Sequence, residues 1–185
     1  MEEYKDTHKI VICGAPATGK SSLIQHLSSK GFNTFEEVSR EIIQDQIANK
    51  SNAVPWEDLN AFSKLVLAGR IQHFKAANNE LQFFDRGLPD ISAYYFLSNL
   101  TVPSEIDQAC RLHRYNQKVF ICPPWKEIYC TDNERKESFE DVLKLHNAIK
   151  EAYLRYGYEV CEIPKGSLEE RFQFISQELN LAHAK

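Results

Sequence analysis

Residues 12–22 read ICGAPATGKSS and contain the pattern Gly-x-x-x-x-Gly-Lys-Ser without a mismatch. The apolar run KIVIC (9–13) leads into the pattern, and the helical sequence SSLIQHLSSK (21–30) follows it. Glycines at this spacing let the backbone turn so that successive N–H groups point inward at the start of a helix, where they attract phosphate. The stretch therefore predicts a strand, a phosphate-binding loop and a helix, in that order.

Two side chains of this loop have specific expected roles with a nucleoside triphosphate. Lys20 would reach the β- and γ-phosphates, and the hydroxyl of Ser21 would ligate Mg²⁺. ATP is the expected nucleotide, and GTP stays an alternative because no residue pattern marks the base pocket. The loop as a whole is expected to bind the nucleotide, and it comprises Gly14, Ala15, Pro16, Ala17, Thr18, Gly19, Lys20, Ser21 and Ser22.

Length and charge exclude several classes of protein. The 185 residues are enough for one domain with a full core, expected over 1–185. The net charge of -4 argues against a nucleic acid or an anionic membrane as the main partner. No apolar run approaches the ~20 residues needed to span a bilayer. The N-terminal MEEYKDTHK is charged where a secretory signal would be apolar, so we expect a cytoplasmic protein.

The five cysteines suggest neither a disulfide framework nor a zinc site. Their number is odd, they are widely spaced, and they form no Cys-x-x-Cys pair. Cys13, Cys122 and Cys161 lie in apolar, strand-like runs, so we expect them to be buried.

Strand-like runs alternate with helical patterns along the chain, which predicts an α/β fold with a five-stranded, mostly parallel sheet. Its ligand is expected at the carboxyl ends of the strands. Ser167 and Glu170 are expected to form a capping box before the last helix. The predicted strands are KIVIC (9–13), NTFEEV (33–38), LQFFD (81–85), KVFIC (118–122) and YEVCEI (158–163). The predicted helices cover 19–30, 39–49, 56–78, 89–99, 104–115, 139–156 and 168–179.

A second metal ligand is expected at the end of the apolar run LQFF (81–84), where Asp85 follows. Asp85 would join Ser21 in holding Mg²⁺, and the alternative is that it caps the following helix. Arg86 comes next in the chain. Its planar fork matches phosphate oxygens, so it is a candidate for binding an anionic substrate or the transferred phosphoryl group.

Two adjacent carboxylates, Glu36 and Glu37, stand at the end of the second predicted strand. A carboxylate there is suited to take the proton of a substrate hydroxyl during phosphoryl transfer. Arg40 lies about one helical turn beyond Glu37, and with Glu36 and Arg86 it is a candidate to bind the substrate. The alternative is that the two glutamates are a solvated helix start.

The segment 123–138, PPWKEIYCTDNERKES, is polar and aperiodic and lies between a strand and a helix. It is therefore a candidate lid. Arg135 or Lys136 would supply positive charge over the phosphates as the transition state forms. An exposed charged loop is the alternative.

With these four pieces in order, the chain resembles the P-loop kinase-like family that includes the nicotinamide-riboside kinase domain of bacterial NAD regulators. That family is also described as an AAA-type ATPase domain. The chain is similar to deoxynucleoside kinases as well. The resemblance rests on GAPATGKSS (14–22), EVSR (37–40), FFDRGLPD (83–90), DNER (132–135) and ERF (170–172).

This resemblance implies a P-loop three-layer sandwich of the nucleoside/nucleotide-kinase type, with sheet order 2-3-1-4-5 and helices on both faces. It also implies Glu37 as the catalytic base, with Glu36 in its place if the register slips by one residue. Asp85 and Arg86 would then serve the metal and the substrate.

Three functions are compatible with these features. The favoured one is an ATP- and Mg²⁺-dependent phosphotransferase acting on a hydroxyl of a small, nucleoside-like acceptor. The second is a nucleotide-binding regulatory switch that works through a partner protein. A mechanical ATPase is disfavoured, because FFDR stands where such an enzyme would carry adjacent acids.

Overall fold

Five strands form one parallel sheet in the residues that the computed structural model describes, 7–128 and 138–181. The strands are β1 (Lys9–Cys13), β2 (Asn33–Phe35), β3 (Gln82–Asp85), β4 (Lys118–Ile121) and β5 (Glu159–Glu162). Their spatial order is β2-β3-β1-β4-β5, and every neighbouring pair is parallel. The predicted order 2-3-1-4-5 is confirmed.

Seven helices connect these strands within the same described residues. They are α1 (Lys20–Ser29), α2 (Val38–Ala48), α3 (Leu59–Ala76), α4 (Pro89–Leu97), α5 (Ser104–Leu112), α6 (Phe139–Arg155) and α7 (Leu168–Glu178). None of them combines the length and the apolar character that crossing a membrane requires.

Successive side chains of β1 point alternately to the two faces of the sheet, and each face packs against its own hydrophobic core. Ile10 and Ile12 face a core that includes residues of α1 and α7. Val11 and Cys13 face the larger core, built with residues of α3, α4, α5 and α6. Successive strand side chains point to opposite faces, so a strand with helices on both sides is apolar throughout. The three-layer prediction is confirmed.

Helix starts follow the capping residues. Ser167 and Glu170 form the predicted capping box: Ser167 Oγ accepts from the backbone N–H of Glu170 at 3.2 Å, and the Glu170 carboxylate accepts from the Ser167 N–H at 2.8 Å. The prediction that α3 begins at residue 56 is wrong. Asp58 caps that helix by accepting from the N–H of Ala61 at 2.9 Å, and Trp56 lies outside it, 64% exposed.

The cysteines behave mostly as small apolar residues. Cys13 and Cys122 are fully buried beside the sheet, and burial raises the pKa of both thiols. The expectation for Cys161 is wrong, because β5 is an edge strand and leaves this residue half-buried. Cys130 lies outside the described residues.

The carboxyl ends of β1, β2 and β3 meet at one edge of the sheet. Ile12 of β1 is the register partner of Asp85, the last residue of β3. Strand β2 ends at Phe35 rather than at residue 38, because α2 begins at Val38. Glu36 and Glu37 therefore form a short connection at this edge, next to the loop between β1 and α1.

Candidate active site

The loop of residues 14–22, here called the phosphate loop, has a backbone that favours glycine at two points. Gly14 has φ 140° and Gly19 has φ 75°. A Cβ on Gly14 would lie 2.8 Å from the backbone oxygen of Cys122, and one on Gly19 would lie 2.9 Å from Nη1 of Arg171. Gly14 therefore excludes a side chain by conformation and by space, whereas a side chain at Gly19 is disfavoured by its backbone conformation and would displace the end of Arg171.

The start of α1 is open to an anion. Lys20 is the first residue of the helix and is 5% exposed, and Ser21 follows with an exposed side chain. Within α1, which is described in full, no side chain caps the N-terminus and no acidic residue lies in the first turn. The free N–H groups and the positive end of the helix dipole suit a phosphate at this point.

Arg171 of α7 holds the phosphate loop from outside. This side chain is buried, and its Nη2 and Nη1 donate to the backbone oxygens of Thr18 and Gly19, each at 3.3 Å. In a trans peptide the C=O of one residue and the N–H of the next point in opposite directions. The two contacts therefore orient the N–H groups of Gly19 and Lys20 away from Arg171. No motif in the sequence assigns a role to Arg171, and its only signal is the short resemblance element ERF (170–172).

Asp85 presents a carboxylate oxygen to which no group in the described part of the chain donates. The residue is 6% exposed, and its Oδ1 has no hydrogen-bond partner among the described residues. Burial raises the pKa of Asp85; the charge of Lys20 opposes this effect and that of Glu37 adds to it. Asp85 does not cap the next helix, because α4 begins at Pro89 and Leu88 occupies its cap position.

The donor set at this edge suits Mg²⁺. Magnesium is held in proteins by one or two carboxylates together with phosphate and water oxygens. Asp85 offers a buried carboxylate oxygen that no other described residue binds, and Ser21 offers a hydroxyl at the start of α1.

Arg86 lies between two carboxylates, one on each side of its guanidinium. Its Nε is 2.5 Å from Oε1 of Glu37, and its Nη1 is 3.1 Å from Oδ1 of Asp90. The side chain of Arg86 is 4% exposed, that of Glu37 is 15% exposed and that of Asp90 is fully buried. The backbone at Arg86 has φ 70°, and its N–H donates to the oxygen of Ile12 at 3.0 Å. This left-handed turn directs Arg86 away from β3 and towards Glu37.

Further residues hold this arrangement in place. Asp90 Oδ2 accepts from the N–H of Gly87 at 3.0 Å and from the hydroxyl of Tyr153 at 2.5 Å. Nη1 of Arg70, on α3, donates to the backbone oxygen of Gly87 at 2.6 Å. We call Glu37, Arg70, Arg86, Asp90 and Tyr153 together the arginine cluster.

Sequence reasoning missed three members of the arginine cluster. No role was predicted for Asp90, which appeared only as the last residue of the resemblance element FFDRGLPD (83–90). Arg70 and Tyr153 lie inside long amphipathic helices, where their positions look like those of any core-facing residue. No spacing rule in the sequence connects them to Arg86.

The structure distinguishes the two adjacent glutamates. Glu37 occupies the cap position of α2 but makes no side-chain cap, because its carboxylate is directed to Arg86. Burial disfavours its charge, but Arg86, with smaller contributions from Lys20, Arg70 and Arg40, outweighs burial and lowers its pKa to about 2. Glu37 is therefore ionised at neutral pH and lies within electrostatic range of Lys20.

A cleft of about 210 Å³ lies beside Glu37, between β2, α2 and α3. We call it the β2–α2 cleft. It is lined by Thr34, Phe35, Glu36, Glu37, Val38, Glu41 and His73.

The other predicted site residues are distributed as follows. Glu36 lines the β2–α2 cleft but is exposed, and Arg40 is exposed on α2 and does not line the cleft. Arg135 and Lys136 lie outside the described residues, as does most of the candidate lid 123–138. The described start of that segment reaches the phosphate loop, since Cδ1 of Ile128 lies 3.5 Å from the Cβ that an alanine would place at Gly19.

Sequence comparison identifies the family. A family model described as an AAA domain matches residues 9–171. The chain belongs to this AAA domain family. The match includes the phosphate loop and the whole arginine cluster, and it confirms the resemblance found from the motifs. Comparison with curated proteins finds no match.

Solved structures share the fold along nearly the whole chain. Deoxyadenosine kinase from M. mycoides, with products dCMP and a flexible dCDP bound, has a TM-score of 0.67 at 19% identity, covering 94% of this chain and 100% of that chain. Thymidylate kinase from Ehrlichia chaffeensis has a TM-score of 0.60 at 16% identity, covering 92% and 98%. NadR protein in complex with NR has a TM-score of 0.67 at 16% identity, covering 96% and 53%. The predicted P-loop kinase-like fold is confirmed.

Proposed function

We propose that the protein is an ATP- and Mg²⁺-dependent phosphotransferase acting on a hydroxyl of a small, nucleoside-like acceptor. The observation that carries the proposal is the position of Glu37. Its ionised carboxylate is held against Arg86, within electrostatic range of Lys20, and lines the β2–α2 cleft. A protein that only bound nucleotide would not need a carboxylate fixed there.

The phosphate loop supplies the triphosphate end of the reaction. Inward N–H groups of residues 14–22 would hold phosphate oxygens, and Lys20 would hold the β- and γ-phosphates. Mg²⁺, held by Asp85 and Ser21, would offset the negative charge of the phosphate oxygens. Arg171 keeps the loop peptides in the orientation that this binding requires.

Glu37 would act on the acceptor hydroxyl. With a pKa of about 2 it is a weak base, so it is not suited to ionise a hydroxyl before transfer begins. Phosphoryl transfer has a loose transition state in most analyses, in which little bonding to the nucleophile has developed. Glu37 would therefore orient the hydroxyl by accepting its hydrogen bond, and would take the proton as the new O–P bond forms.

Arg86 would position Glu37. It would also stabilise the negative charge of the phosphoryl group as that group passes from the phosphate loop to the acceptor in the β2–α2 cleft. Its guanidinium is fixed from behind by Asp90, so it cannot follow Glu37 into the cleft without breaking a buried ion pair. The preorganised charge contributes to transfer because it needs no rearrangement during the reaction. The kinase structures that share this fold support a phosphoryl acceptor of the nucleoside class.

A screen of nucleosides, vitamins and sugars for ATP-dependent phosphorylation tests the proposal. With the acceptor that the screen identifies, Glu37→Gln should lower the transfer rate by about 10²–10⁴-fold and leave ATP affinity nearly unchanged. Glu36→Gln is the matched control, since it removes the adjacent exposed carboxylate and should keep the rate.

Two results would contradict the proposal. Equal rates in wild type and Glu37→Gln would remove Glu37 from the reaction. ATP binding without phosphorylation of any acceptor would favour the nucleotide-binding regulator instead.

A further inference from the structure

Arg171 is a buried cation whose hydrogen-bond partners in the described residues are uncharged. Its side chain donates to the backbone oxygens of Thr18 and Gly19, and its Nη2 also donates to Sγ of Cys122 at 2.8 Å. Burial raises the pKa of the Cys122 thiol, so that group is neutral at pH 7. Over residues 7–128 and 138–181, the ion pairs of α7 belong to Glu169 and Glu178, and none includes Arg171.

A cation buried in this way has a free energy that depends on nearby anions. Hydrogen bonds to neutral oxygens only partly replace the water that a guanidinium loses on burial. Arg171 is 3% exposed, so salt and solvent screen its charge only weakly. An anion that binds close to Arg171 is therefore attracted by a charge that no described carboxylate neutralises.

Two peptide groups lie between Arg171 and the inner side of the phosphate loop. The C=O of Thr18 shares its peptide with the N–H of Gly19, and the C=O of Gly19 shares its peptide with the N–H of Lys20. Arg171 binds the oxygen end of each peptide, and the N–H end points the opposite way. A cation at the oxygen end polarises the amide and makes its N–H a stronger donor to an anion.

Packing of α7 fixes this arrangement before any anion binds. Phe172, the next residue, is 3% exposed and lies in the core that includes Ile10 and Leu23. At the surface, Glu169 pairs with Lys30 of α1 at 2.9 Å. Arg171 is therefore held against the loop by neighbours on both sides, and a charge held in place needs no rearrangement when a ligand arrives.

We propose that Arg171 is the second cation of the triphosphate site, and that its charge strengthens phosphate binding from behind the loop through the peptide groups of residues 18–20. Lys20 would act at the front, by direct contact. Arg171 is a positioning residue, because the loop separates it from the substrate. This inference rests on the proposed binding of a triphosphate at the loop, and it adds an effect of charge to the anchoring of the loop by Arg171.

Arg171→Lys and Arg171→Gln separate charge from anchoring. Both variants lose the planar fork, but only lysine keeps the positive charge. Calorimetry with excess Mg²⁺ measures the affinity of each protein for a non-hydrolysable ATP analogue and for AMP. We expect Arg171→Gln to bind the analogue about tenfold more weakly than wild type does, and AMP less than about threefold more weakly, because AMP brings a single phosphate to the loop. Arg171→Lys should stay within about threefold of wild type for both ligands.

Glu169→Gln is the matched control on the same helix. It removes the surface ion pairs of Glu169 with His26 and Lys30, which join α7 to α1, and it leaves Arg171 in place. Its affinity for the analogue should equal that of wild type. Urea unfolding of each variant identifies the conditions in which it is folded, and affinities are compared only there.

Three results would overturn the inference. The first is equal affinity for the analogue in wild type and Arg171→Gln. The second is equal weakening in Arg171→Gln and Arg171→Lys, because loss of anchoring would then account for both. The third is equal weakening for the analogue and AMP, or equal weakening in Glu169→Gln, either of which would indicate a general loosening of the loop.

Two further outcomes keep the test decisive. If Arg171→Gln does not fold, Arg171→Lys is sufficient: affinity for the analogue lowered by about tenfold or more overturns the inference, and retained affinity supports it. Failure of the proposed function gives a different result. A wild-type protein that binds the analogue with the expected dependence on Arg171, but phosphorylates no acceptor, overturns the phosphotransferase and keeps the inference. Absence of analogue binding by wild type overturns both.

Discussion

The phosphate loop and the arginine cluster lie side by side at one edge of the sheet, but they are assembled differently. The phosphate loop is a single run of nine residues, 14–22, that connects β1 to α1 and includes the first three residues of that helix. The arginine cluster takes its members from the start of α2, from α3, from the turn after β3, from α4 and from α6. Binding through backbone N–H groups can be encoded locally, whereas placing buried charges requires partners from distant parts of the chain.

The contrast has one exception. Arg171 contacts the phosphate loop across more than 150 residues of sequence, donating to Thr18 and Gly19. Even a local motif therefore depends on a distant residue for the orientation of its peptide groups. The four predictions below test how far the two regions act separately.

Lys20→Ala should have the largest effect, because it removes the cation at the triphosphate end of the site. We expect transfer to fall by about 10³-fold or more, with weaker ATP binding measured by calorimetry. Lys30→Ala, near the other end of α1, removes an exposed lysine and is the control. Unchanged ATP affinity in Lys20→Ala would mean that the phosphate loop does not bind the nucleotide through Lys20.

Asp85→Asn should lower Mg²⁺-dependent transfer by about 10²-fold while leaving the fold intact. The carboxamide keeps the size of the side chain but loses the charge that would hold the metal. A magnesium titration of the transfer rate measures the effect, with circular dichroism to verify folding. Asp45→Asn, at an exposed position on α2, is the control and should behave as wild type. A wild-type Mg²⁺ response in Asp85→Asn would exclude Asp85 as a magnesium ligand.

Acid should remove the contribution of Glu37 to stability. Its pKa is lowered from 4.5 to about 2 by folding, so its contribution is complete above pH 4.5 and is lost as the pH falls towards 2. The free energy of unfolding of Glu37→Gln should therefore be about 2 kcal/mol below that of wild type at pH 7, and the gap should close in acid.

Urea unfolding of both proteins between pH 7 and pH 2 measures this gap. Glu36→Gln should stay within about 0.5 kcal/mol of wild type throughout, as an exposed substitution does. A gap for Glu37→Gln that does not depend on pH would mean that packing, rather than the ion pair with Arg86, accounts for it.

Tyr153→Phe should have the smallest effect, about 1 kcal/mol of unfolding free energy. The hydroxyl's hydrogen bonds to Asp90 and from the Gly87 N–H are lost, but that N–H keeps Asp90 as a partner. The substitution also removes a partner of Asp90, so transfer should fall by less than about tenfold. Tyr156→Phe is a close control, because its hydroxyl pairs with Ser92 at 3.2 Å and contacts no member of the arginine cluster. Equal transfer rates in the two variants would show that Tyr153 acts on stability alone.

Much of the fold followed from the sequence because its signals are local. Apolar runs bounded by turns identified all five strands to within three residues at each end. Capping chemistry identified the start of α7, where Ser167 and Glu170 satisfy each other. The start of α3 was misplaced by three residues, because the helix was extended to Trp56 although Asp58 caps it.

By itself the sequence determined the phosphate loop, the α/β alternation and the candidacy of Asp85, since each depends on residues that are neighbours in the chain. Only the tertiary structure decided that Glu37 rather than Glu36 meets Arg86, because α2 begins at Val38 and orients the cap residue inward. It also decided that Arg86 is held by Asp90 and Tyr153, and the phosphate loop by Arg171. The physical reason is that a buried charge must be paired, and the partners that pair it are brought together only by packing the helices on the sheet.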